Sequence, residues 1–305
     1  MTRLLMGAGV IAATIVGVAG TTSVADAASG VSNVTVGLTS SAAGALATYT
    51  VGFKTSGSGA LHGSSGATIT VTFPSGTDLA GFTGQGGVTD NADGQVGYCQ
   101  ESTTTVAECF VYGGDTIPAS TTVSLELAGV LNPGVGTGDK LVVSTSSDTA
   151  SVNSPAYNIT AAQAVSTPSV AMTSTAAGAL TDYTVGFTTS STGYLSVAAD
   201  DVITITFPSG SSLDQLDSGN YVTVSGNTVG YCYESTTTVA ICYIDYADVP
   251  ASTPVSVSLN GVINPGLGTT NLTVTTSADT GLSSSAPYTV TGAQAVSTPS
   301  VTLSS

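Results

Sequence analysis

Apolar residues occupy every second position in several short segments of the chain. The clearest are 51–54, 69–73, 123–127, 203–207 and 255–259, where valine, isoleucine, leucine or phenylalanine alternates mainly with threonine, serine or glycine. A period of two is that of a β-strand with one buried face, whereas an amphipathic helix needs a period of 3.6. We find no convincing helical period after residue 27. The pattern therefore predicts an all-β chain whose antiparallel sheets have one apolar face and one Thr/Ser face.

The second half of the chain repeats the first. The segments 49–53, 72–76, 132–134 and 162–170 recur at 183–187, 206–210, 264–266 and 293–301. The offset drifts only from 134 to 131 residues, so only three residues were lost between the copies, and we place this loss in loops. A period this long indicates globular modules rather than the coils of a solenoid. We assign repeat one to residues 28–162 and repeat two to residues 163–295.

Each repeat is predicted to fold as a β-sandwich. Alternating segments separated by turn residues indicate roughly seven to nine strands per repeat. Pro74 and Pro208 end strands, and the Asn-Pro-Gly sequences at 132–134 and 264–266 mark turns. The predicted fold class is all-β, with two tandem Ig-like antiparallel β-sandwich domains after a cleaved signal peptide.

The first 27 residues have the features of a secretory signal peptide. Arg3 precedes an apolar run at 4–20, and Ala25-Asp26-Ala27 matches an A-x-A cleavage site. The alternative is a membrane anchor, but a run of about 17 residues is at the lower limit for spanning a bilayer. We expect a secreted protein, soluble or held at the cell surface, that meets the membrane only through this peptide during export.

The four cysteines form two C-x9-C pairs within the same local sequence, Gly-Tyr-Cys-x-Glu-Ser-Thr-Thr-Thr-Val-Ala. Four cysteines allow three pairings, and the duplication selects Cys99–Cys109 and Cys232–Cys242, each across a hairpin. Closing so short a loop stabilises the fold by roughly 2–3 kcal/mol in the chain-entropy model. A zinc site would need C-x2-C spacing and supporting histidines, and a redox pair would need C-x-x-C.

Charge and composition exclude several functions. Charged residues are 7% of the chain and the net charge is −16, with Arg3, Lys54 and Lys140 as the basic residues. Such a chain cannot neutralise phosphates, so we expect no nucleic acid and no anionic membrane as partner. The one histidine, His62, lies where the second copy has Tyr194-Leu195-Ser196, and we interpret it as a surface residue. We predict no catalytic residue and a non-enzymatic protein.

Acidic residues occur at matching places of the two repeats, in or beside predicted turns. They are Glu101 and Glu234, Asp115 and Asp248, and Asp148 and Asp279. Two facing carboxylates would suit a glycosidase, which makes a secreted hydrolase the least favoured alternative. We expect these residues to be solvated loop charge.

Calcium is a second interpretation of acidic loops. Its candidate ligands are Asp90, Asn91, Asp93, Asp200 and Asp201. None of these groups has the full ligand spacing of a calcium-binding loop. We therefore expect no cofactor, and Ca²⁺ is the alternative.

Tyrosines are concentrated around the two hairpins. They are Tyr98, Tyr112, Tyr231, Tyr233, Tyr243 and Tyr246. We expect half of this set to pack in the cores, and any exposed remainder to form a ligand site or an interface, where tyrosine is enriched. Convergence of the exposed rings on one concave spot would favour binding, and their dispersal would favour a structural role.

Residues 296–305 are an orphan copy of the first strand of a repeat. Val301 and Leu303 match Val170 and Met172, within a copied segment that includes Val296. Such a strand has three fates: it is loose, it pairs along an edge of repeat two, or it pairs with another subunit by strand addition. We favour the first two and keep self-association as a minority hypothesis.

The runs Tyr-Thr-Val-Gly-Phe-x-Thr-Ser, Ile-Thr-Val/Ile-Thr-Phe-Pro-Ser-Gly and Asn-Pro-Gly resemble the tandem Ig-like repeats of bacterial secreted and cell-surface proteins. The resemblance covers nearly all of residues 31–295 and implies an exported structural or adhesive role, without any functional residue carried over. We therefore expect a secreted, non-enzymatic structural or adhesive surface protein that binds itself or other surface components. The alternative is an extracellular glycan- or small-ligand-binding module.

Overall fold

The computed structural model describes residues 28–82, 87–91, 94–293 and 300–301. The predicted signal peptide lies outside these residues, as do Asp93, Val296 and Leu303. The described residues contain no α-helix, and one 3₁₀ turn occurs at Gly63–Ser65. The predicted all-β, antiparallel fold is confirmed.

The strands of repeat one are β1 Ser32–Leu38, β2 Leu46–Lys54, β3 Leu61–His62, β4 Thr68–Thr72, β5 Gly87–Asp90, β6 Gly94–Thr103, β7 Val106–Val111, β8 Thr116–Ile117, β9 Thr122–Leu131, β10 Gly136–Asp139, β11 Val142–Thr145, β12 Val152–Asn153 and β13 Tyr157–Ile159. Those of repeat two are β14 Ser169–Met172, β15 Leu180–Thr188, β16 Val202–Thr206, β17 Tyr221–Val224, β18 Asn227–Thr236, β19 Val239–Ile244, β20 Pro254–Ile263, β21 Gly268–Thr270, β22 Thr273–Thr276, β23 Ser283–Ser284 and β24 Tyr288–Val290.

Each repeat builds a nine-stranded antiparallel sheet with the same strand order. The order is β1-β2-β9-β5-β6-β7-β4-β11-β12 in repeat one and β14-β15-β20-β17-β18-β19-β16-β22-β23 in repeat two. The two-stranded pairs β10-β13 and β21-β24 also correspond, and repeat one adds the pair β3-β8. The duplication in the sequence is therefore a duplication of the fold.

The two ends of each nine-stranded sheet meet, so the sheet folds over its own core. Ala150 N donates to Ser29 O at 2.9 Å in repeat one, and Gly281 N donates to Gln163 O at 2.7 Å in repeat two. These bonds occupy backbone groups that would otherwise lie along a bare edge. The inner faces of the two halves of the sheet then pack against each other as a sandwich.

Each repeat has its own apolar core. One buried cluster is drawn from residues 31–143 and the other from residues 165–290. Tyr49 and Tyr183 are the largest fully buried side chains of the two cores. Phe73 and Phe207 meet these rings edge-on, with centroids 5.2 and 5.1 Å apart, which is a favoured aromatic geometry. The boundary at residues 162 and 163 stays a prediction.

The alignment of the repeats around His62 needs a correction. Leu61 and Leu195 are both fully buried, and they occupy equivalent places in the fold. Ser196, rather than the preceding residues, therefore stands in repeat two where His62 stands in repeat one. The His62 ring is exposed, with Nδ1 3.3 Å from Thr116 Oγ1.

Candidate functional site: the tyrosine face

Two strands joined by a tight turn carry the cysteines of each repeat. Cys232 on β18 lies directly opposite Cys242 on β19, and Cys99 on β6 lies opposite Cys109 on β7. Both pairs are disulfide-bonded, so the predicted pairing is confirmed. Since all four cysteines are buried, alternation places the residues on either side of each one on the outer face of the sheet.

A glycine precedes the tyrosine in both hairpins because the neighbouring strand approaches too closely for a side chain. A Cβ on Gly230 would collide with the carbonyl oxygen of Tyr243, and one on Gly97 with that of Phe110. The sequence Gly-Tyr-Cys thus encodes a close backbone contact, an outward ring and an inward sulfur.

Strand register brings the outward rings of repeat two into one row. Tyr221 on β17 is opposite Tyr231 on β18, Tyr231 is opposite Tyr243 on β19, and Tyr243 is opposite Val202 on β16. Two residues further along β18, another tyrosine lies opposite an isoleucine of β19. We call this surface the tyrosine face: Tyr221, Tyr231, Tyr233, Tyr243 and Tyr246, with Val202 and Ile241.

The rings of the tyrosine face stack on one another. The centroids of Tyr233 and Tyr243 are 5.5 Å apart with planes inclined by 13°, and those of Tyr231 and Tyr243 are 6.0 Å apart at 23°. Tyr246 extends the row beyond Tyr231, at 6.4 Å and 42°. The planes of Tyr231, Tyr233 and Tyr243 are close to parallel, so these three rings stack, whereas Tyr246 is tilted against Tyr231. The ring edges and the hydroxyl groups are therefore presented to solvent.

The phenol of Tyr233 carries no charge near neutral pH. Hydrogen bonding with Tyr243 is the main cause that raises the pKa of Tyr233 to about 12, with burial and the nearby phenols adding to it. The hydroxyl group of Tyr233 therefore acts as a neutral donor and acceptor. The surface is amphipathic, since apolar rings alternate with polar tips.

Repeat one has a smaller version of this surface. Tyr98 stacks on Phe110 at 5.5 Å and on Tyr112 at 5.9 Å. Gln100 lies opposite Glu108, at the place that Tyr233 and Ile241 take in repeat two. An acidic side chain therefore interrupts the apolar surface in repeat one, and the candidate site is concentrated in repeat two.

The expectation that core packing takes half of the hairpin tyrosines is wrong. Five of the six are exposed and the sixth, Tyr243, is half-buried, whereas Tyr49, Tyr183 and Tyr288 are the buried ones. Sequence reasoning missed Tyr221 because alternation does not tell which strands are neighbours. The exposed rings converge on one side of each repeat, as a row rather than a concave spot.

The duplicated acids do not form one site. Asp148 and Asp279 are fully buried, so the expectation of solvated charge is wrong for this pair. The Asp279 carboxylate accepts hydrogen bonds from Ser190 N at 2.8 Å and from Ser190 Oγ, and Asp148 accepts one from Ser56 N at 2.8 Å. These carboxylates fasten loops of their own repeats.

The remaining acids of the duplicated set are at the surface. Glu101, Glu234 and Asp248 are exposed, and Asp115 is half-buried. Glu101 and Glu234 are solvated charges, as expected, whereas the exposed Asp248 also accepts hydrogen bonds from Tyr194 Oη and Val197 N.

The calcium candidates are also dispersed. Asp90 is buried on β5 and Asn91 is exposed, while Asp200 is exposed beside the buried Asp201. Among the described residues, no group of three or more His, Cys, Asp or Glu is placed to hold a metal ion. The expectation that the protein needs no cofactor stays a prediction.

Asp201 makes the stability of repeat two dependent on pH. Burial raises the pKa of Asp201 from 3.8 to about 6, and the charges of Asp248 and Asp200 add to this shift. Hydrogen bonds from Ser277 and Ser196 oppose it. The folded state therefore binds this proton more tightly than the unfolded state, and the resulting stability is present below pH 4 and lost as the pH rises through 6. Two pKa units correspond to about 3 kcal/mol.

We expect Asp201→Asn to flatten this dependence. Urea unfolding followed between pH 4 and 7 should show a fall in stability with pH for the natural protein and little fall for the variant. Asp245→Asn is the matched control, since its exposed carboxyl is not among the groups that raise the pKa of Asp201, so the slope should be nearly unchanged. An equal slope in the natural protein and in Asp201→Asn would contradict the prediction.

No helix among the described residues is long and apolar enough to span a membrane.

No protein-family model and no curated protein matches the chain. Among solved structures, the C-terminal domain of the AgI/II polypeptide BspA of Streptococcus agalactiae aligns over 86% of this chain and 95% of its own, with 10% identity and a TM-score of 0.28. The collagen adhesin CNA of S. aureus aligns over 85% and 92%, with 11% identity and a TM-score of 0.25. The serine-rich repeat adhesion glycoprotein Srr1 of S. agalactiae aligns over 87% and 98%, with 14% identity and a TM-score of 0.26. Scores of this size do not assign a function, which is argued below from the surface of the chain itself.

Proposed function

We propose that this chain is an exported, non-enzymatic adhesive protein that makes contact through the tyrosine face of repeat two. The observation that supports the proposal is the convergence of exposed, stacked rings on one side of an otherwise Thr/Ser-rich sheet. Tyrosine supplies a large contact area with few rotatable bonds, so that ordering it on binding costs little entropy. Apolar rings with polar tips are also the side chains that concentrate at protein–protein interfaces.

A row of exposed rings along one face of a sheet suits a protein surface as partner. The outer face of β17, β18 and β19 presents rings held in place by their neighbours, which lowers the cost of ordering them in a complex. The partner we propose is another surface protein or a second copy of this chain. Self-association by residues 296–305 is the second route to the same role, and Val301 is 86% exposed.

Glycan binding is the second candidate function, and the exposed tyrosines are the observation that favours it. Sugars bind aromatic side chains through the open face of the ring. In the tyrosine face, Tyr243 stacks on both Tyr231 and Tyr233, and Tyr246 lies against Tyr231 with its plane inclined by 42°. Stacking between the rings occupies ring faces that a sugar would need, which favours a protein contact over a sugar platform.

The test replaces Tyr231, Tyr233 and Tyr243 together with threonine, which keeps the preference for a strand. We expect binding of the labelled protein to the producing cells to fall at least tenfold, equivalent to about 1.4 kcal/mol, because three ring contacts are lost. The matched control replaces three exposed leucines outside the face with threonine: Leu180, Leu267 and Leu282. Circular dichroism and urea unfolding check that both variants keep the fold.

The control decides whether the tyrosine face is the contact surface. Equal loss of binding in the leucine variant would mean that exposed apolar side chains contribute to binding wherever they lie. Unchanged binding in the tyrosine variant would overturn the proposal. Soluble polysaccharides in affinity electrophoresis test the glycan alternative, for which retardation that depends on the tyrosines is the positive result.

Truncation after Gln294 separates the two routes to self-association. Sedimentation of the full chain and of the truncated chain at high concentration gives the oligomeric state of each. Loss of oligomers on truncation would assign the contact to residues 296–305, whereas loss only in the tyrosine variant would assign it to the tyrosine face.

A further inference from the structure

The two repeats contact each other through different surfaces. Leu46 N of repeat one donates to Ser277 O of repeat two at 2.9 Å, and Thr280 Oγ1 donates to Ala43 O at 3.4 Å. Repeat one contributes the loop at 42–46, which we name a docking loop, and repeat two contributes a turn. A heterologous contact of this kind between two copies of one module leaves the unused surface of each copy open.

Repeat two has a docking loop of its own, at 176–180. Both loops have the sequence Ala-Ala-Gly-Ala-Leu. Ala179 O accepts from Asn264 N at 2.9 Å. Because hydrogen-bonded and non-hydrogen-bonded pairs alternate along antiparallel strands, Leu180 N points away from β20. The same arrangement in repeat one turns Leu46 N away from β9 and towards repeat two, so the donor used in the contact is present in both loops.

The docking loop of repeat one is covered, and that of repeat two is open. Three residues of the first loop are more deeply buried than their identical counterparts in the second: Ala42, Ala45 and Leu46, compared with Ala176, Ala179 and Leu180. Leu180 is 57% exposed. Since the paired residues are the same, the difference comes from the neighbouring repeat. Among the described residues, repeat two has no equivalent of the bonds that Leu46 N and Ala43 O make to another repeat.

Repeat two contributes the turn at 277–280, which we name a docking turn, and repeat one has the equivalent turn at 146–149. Their sequences are Ser-Ala-Asp-Thr and Ser-Ser-Asp-Thr. In both turns the aspartate N–H donates to the hydroxyl group of a threonine three residues earlier. Ser277 is half-buried in the contact, whereas Ser146 is exposed. Repeat one therefore has an open copy of the turn with which repeat two makes the contact.

We propose that the docking loop of repeat two binds the docking turn of repeat one in a second copy of this chain. Leu180 N would then donate to Ser146 O, and Thr149 Oγ1 to Ala177 O, as the equivalent groups do between the repeats. Each further copy again has one open loop and one open turn, so the copies join head to tail. The proposal does not rest on the tyrosine face, which is formed by other strands.

Charge opposes this contact less than it opposes the one between the repeats. Glu126 and Asp200 line the space between the repeats from either side, whereas their counterparts, Ser258 and Gly66, are uncharged. Asp182 adds one carboxylate that repeat one lacks at this position. Whole copies with a net charge of −16 repel each other at long range. The test is therefore run at about 0.5 M salt, where this repulsion is screened.

The contact between separate molecules should be weak. The linker between the repeats gives the internal contact an effective concentration on the order of millimolar, and this help is absent between copies. Association is therefore measured at about 1 mM protein, which matches that effective concentration. The labelled protein in the cell-binding test is far more dilute, so the Leu180→Thr substitution in its leucine control does not act through this contact.

Two one-sided variants test the geometry. Leu180→Glu places a charge at the open loop, and Thr149→Glu places one at the open turn. Both of these natural side chains are exposed, so each repeat should keep its fold, which urea unfolding checks. Sedimentation velocity should show association of the natural chain and at least tenfold weaker association of either variant alone.

Mixing the two variants distinguishes a head-to-tail contact from any other. The Leu180→Glu chain retains an open turn and the Thr149→Glu chain an open loop, so an equimolar mixture should form pairs of one chain of each kind and nothing longer. A chain with both substitutions should stay monomeric in every mixture. Leu267→Glu is the matched control and should associate like the natural chain. Its counterpart Val135 is 67% exposed beside repeat two, so this position lies outside the contact.

Any of four results would overturn the proposal. They are a natural chain that stays monomeric, single variants that associate as strongly as the natural chain, a mixture without pairs, and equal loss of association in Leu267→Glu. The measurement is repeated with Tyr231, Tyr233 and Tyr243 replaced by threonine, where association through the loop and the turn should persist. Loss of association in that variant would assign it to the tyrosine face instead.

Discussion

Asn264→Ala is expected to lower the free energy of unfolding of repeat two by about 4 kcal/mol. The side chain is fully buried, with 1% exposed. Its Oδ1 accepts from Tyr183 Oη at 2.7 Å, and its Nδ2 donates to Ser174 O and Ala176 O at 2.9 Å each. Alanine would leave the buried phenol of Tyr183 and the carbonyl group of Ser174 without these partners, whereas Ala176 O keeps its bond from Ala179 N at 3.2 Å. Each polar group left without a partner costs about 1–3 kcal/mol.

Repeat one provides a matched comparison. Asn132 accepts from Tyr49 Oη at 2.7 Å and donates to Ser40 O and Ala42 O. Asn132→Ala should therefore destabilise repeat one by a similar amount and leave repeat two nearly unchanged. Urea unfolding of the full chain measures both transitions. Asn227, which is exposed, supplies the control Asn227→Ala, and a loss below about 1 kcal/mol for Asn264→Ala would contradict the argument.

The asparagine shows what the sequence could and could not predict. Its place in the duplicated Asn-Pro-Gly sequence indicated a turn, and a turn does follow β9 and β20. That its amide also joins a core tyrosine to a loop about 90 residues away cannot be seen in a local pattern. Alternation along the strands was enough for the all-β class and for the direction of each side chain. Strand order, which decides the neighbours, depends on long-range packing.

The same limit applies to the candidate sites. Repetition selected the disulfide pairing because both partners of each bond lie in one hairpin. The addition of Tyr221 to the row required the knowledge that β17 lies beside β18. Asp148 and Asp279 look like solvated turn residues, and it is the backbone of a distant loop that allows them to be buried. The contact between the repeats, where Leu46 N donates to Ser277 O at 2.9 Å, arises from the packing of two modules, and no pattern within one module gives a signal for it.

The double substitution Cys232→Ser, Cys242→Ser is expected to lower the free energy of unfolding of repeat two by about 3 kcal/mol. The bond closes a loop between residues 10 apart in the sequence. Its removal gives the unfolded chain more freedom, and leaves two hydroxyl groups in the space of a buried sulfur pair. The matched variant, Cys99→Ser with Cys109→Ser, should act on repeat one. Differential scanning calorimetry should therefore show one transition lowered in each variant and the other retained.

The disulfide also connects stability with the proposed contact surface. Tyr231 and Tyr233 flank Cys232 on β18, and Tyr243 follows Cys242 on β19. The strands stay paired by backbone hydrogen bonds in the folded variant, so the rings should keep their row and binding to cells should persist well below the melting temperature. Binding should then be lost in step with the unfolding of repeat two, at a lower temperature than in the natural protein. Loss of binding while repeat two is still folded would mean that the bond itself positions the tyrosines. Retention of binding after repeat two has unfolded would place the contact surface elsewhere in the chain.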